Sequence, residues 1–135
     1  MWLFNYFVLA DDYAHHPSEI KATLQAAKDL KYKRVVAVFQ PFTFSRTALL
    51  KDDFIDALKV ADKVILTPIM GSREINTYGI TSEDLAKGLE SCTCVETFDE
   101  AVEQIIKTAQ KGDIVITMGG GDIYKVAQSV AKKLK

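Results

Sequence analysis

The sequence lacks an excess of charge of either sign. Among its 135 residues, 17 lysines and arginines stand against 18 aspartates and glutamates, which leaves a formal net charge of -1. Domains that bind nucleic acid or a membrane surface usually show a basic excess. We therefore expect neither nucleic acid nor a membrane among the partners of this chain.

A long hydrophobic run is also missing. The apolar stretch at residues 1–10 is too short to span a bilayer, which takes ~20 residues. No basic segment precedes it, as a signal peptide would require. We expect this stretch to form a strand, buried or at the edge of a sheet, in a cytoplasmic protein.

Cysteine is scarce, with only Cys92 and Cys94. The two stand two residues apart in a predicted strand, so their side chains point to the same face. No histidine or second cysteine pair stands at the spacing of a zinc site. We expect buried free thiols in a reducing compartment, and no metal site.

Hydrophobic periodicity alternates between strand and helix along the chain. Continuous apolar runs are typical of strands that are covered on both faces. The pattern predicts strands at 4–10, 35–39, 64–66, 92–95 and 114–116, and helices at 17–30, 46–58, 81–89, 99–109 and 122–135. No linker or repeat interrupts it, which favours one α/β domain over residues 1–135. We expect a Rossmann-like three-layer fold, with a mostly parallel sheet of about six strands and helices on both faces.

The densest polar cluster runs from Asp11 to Pro17 and contains both histidines of the chain, His15 and His16. Proline at the first helical position marks a helix start. The cluster therefore lies on a strand-to-helix turn, where α/β proteins bind ligands. A carboxylate there can bind a ribose diol, and an imidazole can donate, accept or pair with an anion. The alternative is a plain turn in which Asp12 caps the helix and the histidines are solvated.

A second cluster runs from Phe39 to Thr47 and contains Arg46. A cation near a helix start is unfavourable, so an anionic partner such as a carboxylate or phosphate explains Arg46 better. The alternative is a local ion pair with Asp12 or Asp52. We expect Arg46 and His15 at the carboxyl ends of adjacent strands.

Two further motifs are weaker. The glycine turn at 119–121 can cradle an anion with free backbone amides, yet it fits neither the P-loop nor the dinucleotide-binding pattern. Asp122 would also repel a phosphate, and close backbone packing is the alternative. In the loop at 72–74, Arg73 and Glu74 form either part of a site or a solvated ion pair.

Together these motifs resemble the carboxyl-terminal domain of the Mur ligase family, and most closely its alanine-adding branch. The order and spacing agree from about Val8 to Lys135, and the turn with two histidines is the most specific part. The family usually has histidine where this chain has Phe42, often arginine where it has Thr43, and alanine where it has Gly120.

The resemblance implies an ATP-dependent, amide-forming ligase of peptidoglycan precursor synthesis, with a role in cell-wall formation, cell shape and cell division. Such ligases attach L-alanine to UDP-N-acetylmuramate through an acyl phosphate. The last of their three domains closes over the central one, which holds most of ATP and Mg²⁺. The implied partners are thus L-alanine, ATP, UDP-N-acetylmuramate and the other two domains, in cis or in trans.

The resemblance also implies roles for individual residues. Asp12 is the candidate for ATP, through its ribose. Tyr13, His15 and Arg46 line the L-alanine pocket, and Arg46 holds the amino acid's carboxylate. Further candidates are His16, Arg73 and Asp122.

Phosphoryl transfer needs a phosphate cradle and Mg²⁺ ligands, and the sequence contains neither. We therefore expect no catalytic residue in this chain and no ligase activity from the chain alone. The alternative function is a free-standing α/β module that binds a nucleotide or an amino acid without ligase chemistry. The retained Tyr13, His15 and Arg46 favour the ligase, whereas Phe42 favours the module.

Overall fold

The computed structural model describes residues 1–4 and 6–135. These residues form six strands and six helices. In chain order they are β1 (Trp2–Leu3), β2 (Phe7–Asp12), α1 (Pro17–Asp29), β3 (Arg34–Phe39), α2 (Phe44–Leu49), α3 (Lys51–Leu58), β4 (Lys63–Leu66), α4 (Ser82–Ala86), β5 (Cys92–Cys94), α5 (Phe98–Thr108), β6 (Asp113–Met118) and α6 (Tyr124–Leu134).

The strands form one sheet in the order β1-β2-β6-β3-β4-β5. Only β1 runs antiparallel, as an edge strand beside β2, and all other pairs are parallel. The prediction of a mostly parallel sheet of about six strands is confirmed. Strand β6 lies between β2 and β3, and all six of its residues are buried.

Two apolar cores cover the two faces of the sheet. On one face, α1, α3 and α4 pack against Val35, Ala37 and Phe39 of β3. On the other face, α5 and α6 pack against Val36 and Val38 of the same strand. Because alternate residues of a strand point to opposite faces, the continuous apolar run fills both cores. The predicted three-layer arrangement is confirmed.

Several predicted boundaries were wrong. The single strand expected at 4–10 is replaced by the pair β1 and β2, and position 5 lies outside the described residues. The helix expected at 46–58 is divided at Leu50, whose φ of -109° departs from helical geometry. The helix expected from 122 begins at Tyr124 because the glycine turn extends further than predicted.

The two cysteines are free, as expected, but half-buried rather than buried. They lie on the edge strand β5, which has a neighbour on one side only. Desolvation raises the pKa of the Cys92 thiol to about 12, so this thiol is protonated at neutral pH. Among the described residues, no helix has the length and apolar character needed to cross a membrane.

Candidate functional site

The polar motifs meet at the carboxyl edge of the sheet, in the connections that follow β2, β6 and β3. The expectation that His15 and Arg46 follow adjacent strands was wrong, because β6 lies between β2 and β3. The glycine turn at 119–121, which follows β6, therefore lies between the two motifs. Neighbouring strands are ~5 Å apart, so the ends of β2 and β3 are separated by ~10 Å.

The start of α1 is closed by His16 and Glu19, not by Asp12. The Nδ1 atom of His16 accepts a hydrogen bond from the amide of Ser18 at 3.2 Å, and Pro17 occupies the first helical position. The Glu19 carboxylate accepts from the amides of His16 at 3.1 Å and of His15 at 3.3 Å. These amides hold the pKa of Glu19 below its usual range. The structure thus gives His16 a capping role.

Asp12 is half-buried and uses both carboxylate oxygens within the chain. Its Oδ1 accepts from the amide of Ala14 at 2.8 Å, and its Oδ2 accepts from the hydroxyl of Thr23 at 3.2 Å. A carboxylate can accept about four hydrogen bonds. Asp12 is therefore held in one orientation with acceptor capacity left for a ligand.

The imidazole of His15 lies between the Tyr13 backbone and the glycine turn. Its Nδ1 is 3.0 Å from the carbonyl oxygen of Tyr13. The exposed ring of Tyr13 contacts the imidazole edge-on, with ring centroids 5.1 Å apart. A Cβ atom added to Gly120 would stand 3.2 Å from Cγ of His15. The small residue at 120 thus allows the two turns to pack together.

Arg46 lies in the six-residue helix α2, and Thr43 is the N-cap of this helix. Because this helix is so short, Arg46 belongs to its last turn as well as its first, and the helix-dipole argument for an anionic partner was wrong. The alternative ion pair with Asp12 or Asp52 is not formed either. Within the described residues, the half-buried guanidinium of Arg46 has no hydrogen-bond acceptor and no carboxylate within 4.0 Å.

Thr43, at the start of α2, has a left-handed backbone conformation. Its φ of 64° is unusual for a β-branched residue. The conformation is held because its amide donates to the Met70 carbonyl at 2.9 Å and its own carbonyl accepts from the Thr47 hydroxyl at 2.7 Å. Its Oγ1 accepts from the amide of Arg46 at 3.3 Å. These hydrogen bonds therefore hold the backbone at Arg46 in a defined position at the end of the sheet.

Gln40 is a functional candidate that the sequence analysis missed. Its side chain is 4% exposed, and its Nε2 donates to Oδ1 of Asp122 at 3.0 Å. Its Oε1 is buried and has no hydrogen-bond partner among the described residues. This oxygen occupies the space of a Cβ at Gly121, 2.7 Å from where that atom would be, and the Gln40 carbonyl approaches Gly119 in the same way. Close packing therefore explains the glycine turn. The sequence signal for Gln40 was a polar residue directly after the continuous apolar run at 35–39.

The loop at 72–74 is tied to the start of α2. Glu74 accepts hydrogen bonds from the hydroxyl of Ser45 and, at 2.9 Å, from its amide. These bonds hold the pKa of Glu74 below its usual range. Arg73 is exposed and forms no ion pair with Glu74 in the described part of the chain. Glu74 thus brings the loop beside Arg46.

The chain is similar to the same group of ligases in sequence and in structure. The family described as Mur ligase, glutamate ligase domain, matches residues 4–121. The UDP-N-acetylmuramate–L-alanine ligase of Lachnospira eligens is 47% identical over 133 residues, which cover 96% of this chain and 29% of the relative. The enzyme of the same name from Caldicellulosiruptor saccharolyticus is 45% identical over 130 residues, 93% of this chain and 29% of the relative. The chain thus spans well under half the length of these relatives.

Two solved structures share the fold. The UDP-N-acetylmuramate-alanine ligase of Thermotoga maritima superposes with a TM-score of 0.72 at 26% identity, over 94% of this chain and 26% of that one. A domain of a ligase from Haemophilus ducreyi superposes with a TM-score of 0.74 at 25% identity, over 99% of this chain and 96% of that one. The second structure is a single domain of nearly the same extent as this chain.

Proposed function

The chain belongs to the Mur ligase family, and from this we propose that it is the carboxyl-terminal domain of an ATP-dependent UDP-N-acetylmuramate–L-alanine ligase. The observation that carries the proposal is its 42 to 47% identity to ligases of that name over nearly its whole length. We assign the remaining length of those relatives to the central ATP-binding domain and the UDP-sugar domain that the family resemblance implies. These act with residues 1–135 in cis or in trans, in the cytoplasm, to make a precursor of the cell wall.

The amino acid binds at the carboxyl edge of the sheet in this proposal. Arg46 holds the carboxylate of L-alanine, because Arg46 is half-buried and its guanidinium takes part in none of the ion pairs among the described residues. Tyr13 is 68% exposed and can close over the ligand. His15 faces the same edge from the other side of the glycine turn. The amino acid binds across the end of β6, which lies between the strands that precede His15 and Arg46.

ATP is shared with the central domain. We assign a ribose hydroxyl of ATP to Asp12, since a carboxylate can accept about four hydrogen bonds and Asp12 accepts two, from Ala14 and Thr23, among the described residues. From the family resemblance we assign Mg²⁺ and the phosphates mainly to the central domain. His16, Arg73 and Asp122 are kept as further candidate residues of the site.

A chimaera tests the proposal. Residues 1–135 replace the matching segment of the Lachnospira eligens ligase, and phosphate release is measured with ATP, L-alanine and UDP-N-acetylmuramate. We expect release that requires all three substrates, and no release from residues 1–135 alone. A chimaera that folds and binds ATP but releases no phosphate with L-alanine would favour the binding module, for which Phe42 is the supporting observation.

A further inference from the structure

The imidazole of His15 is held in one tautomer by the backbone. Its Nδ1 lies 3.0 Å from the Tyr13 carbonyl oxygen, and a carbonyl oxygen can only accept. The neutral ring therefore carries its proton on Nδ1. The other ring nitrogen, Nε2, is left with a free lone pair.

This lone pair is available to a ligand. The ring packs on Gly120 through its Cβ, Cγ and Nδ1 atoms, so the opposite edge, which carries Nε2, is turned away from the glycine turn. The side chain is 27% exposed. Nε2 has no hydrogen-bond partner in the described residues.

Two oxygen acceptors face Nδ1 of His15. Glu19 places Oε1 3.6 Å from Nδ1 of His15, and its lowered pKa keeps it ionised at neutral pH. The Tyr13 carbonyl also faces Nδ1. Both oxygen atoms can only accept a hydrogen bond from Nδ1, so they keep the ring proton on that nitrogen and leave Nε2 as the acceptor.

We propose that His15 is the general base that deprotonates the incoming amino acid, a catalytic role that differs from the expectation from sequence of no catalytic residue in this chain. The inference rests on the proposed ligase function. An amino acid enters with an ammonium group, which has no lone pair and cannot attack an acyl phosphate. Nε2 of His15 takes one proton from this ammonium, and the neutral amine becomes the nucleophile.

The step is balanced without a further reactant. The amine nitrogen forms a bond to the carbonyl carbon of the acyl phosphate, and the bond from that carbon to the bridging oxygen breaks. The second proton lost by the amine leaves with the phosphate. The His15 imidazolium then returns its proton to water.

Hydroxylamine separates this role from a structural one. It is mostly neutral at pH 7.5 and attacks an acyl phosphate without a base, giving a hydroxamate. In the chimaera, we expect His15→Gln and His15→Ala to lower kcat with L-alanine by about 10²- to 10⁴-fold. Hydroxamate formation by the same variants should stay close to that of the parent.

Three results would overturn the inference. One is an unchanged kcat for L-alanine in either variant. Another is an equal loss of alanine and hydroxamate products in both variants, which would assign His15 to folding or to the acyl phosphate. A parent chimaera that makes hydroxamate and ADP but no alanine product would overturn the proposed function itself, and this inference with it.

Discussion

The side-chain amide of Gln40 donates a 3.0 Å hydrogen bond to the carboxylate of Asp122, 82 residues further along the chain. The bond joins the end of β3 to the turn that follows β6. Because Gln40 is buried, it fixes the glycine turn against which His15 packs. The two halves of the proposed amino-acid site thus share one hydrogen-bonded connection.

Removal of Asp122 and removal of Gln40 should both destabilise the fold, but by different amounts. Asp122→Ala leaves a buried amide without an acceptor, which costs about 1–3 kcal/mol. Gln40→Leu leaves the Asp122 carboxylate without its donor, but Asp122 is only half-buried. Water can therefore hydrate this carboxylate, and the loss of stability is smaller. We expect the double variant, measured by urea unfolding, to cost less than the sum of the two. Strictly additive costs would show that the bond contributes no coupling.

A role of Asp12 in binding ATP can be tested separately from its role in holding the turn. Asp12→Asn keeps the shape of the side chain but removes its charge, and we expect a higher KM for ATP in the chimaera. Thr23→Val is the matched control, because it removes only the bond to Oδ2. It should cost about 1 kcal/mol of stability and leave the KM for ATP unchanged. Equal effects on KM in both variants would mean that Asp12 acts only by holding the turn.

The tie between the loop and α2 should be sensitive to acid. Hydrogen bonds from Ser45 hold the pKa of Glu74 below its ordinary value of 4.5. A carboxylate with a lowered pKa contributes stability above its unfolded value and loses it as the pH falls through the folded value. We expect the Ser45 amide resonance in NMR spectra to follow the ionisation of Glu74, with a midpoint below pH 4.5. Glu74→Ala should remove this transition, and its persistence in that variant would assign it to another group.

The order of strands and helices was predictable from apolar periodicity, whereas element ends were not. The run at 114–116 predicted β6, but the strand also includes Asp113 and Thr117, which are polar and buried. Both are compatible with burial because of distant partners, Arg34 for Asp113 and Asp11 for Thr117. Such partners are not visible in a local pattern.

The site was predictable as a set of motifs but not as an arrangement. Strands β2 and β3 follow each other in the chain, and only long-range pairing places β6 between them. Gln40 was missed for the same reason, since its partner is remote. The capping role of His16 was missed because histidine is not among the usual N-cap residues.

Truncation of Arg46 and of Arg34 should have different effects on the stability of the chain. Arg34 forms an ion pair with Asp113, which is 1% exposed, at 2.8 Å. Removing one partner of a buried pair costs about 3–5 kcal/mol, so Arg34→Ala should lower the melting temperature of the chain. Arg46→Ala should leave it nearly unchanged, because its guanidinium has no partner among the described residues.

The most direct measurement is the pair of KM values for L-alanine and ATP in the Arg46→Ala chimaera. A charged contact at a desolvated site is worth about 2–5 kcal/mol when truncated. The KM for L-alanine should therefore rise by at least ~30-fold, while the KM for ATP stays close to that of the parent. An unchanged KM for L-alanine, or an equal rise for both substrates, would contradict the assignment of this edge of the sheet to the amino acid.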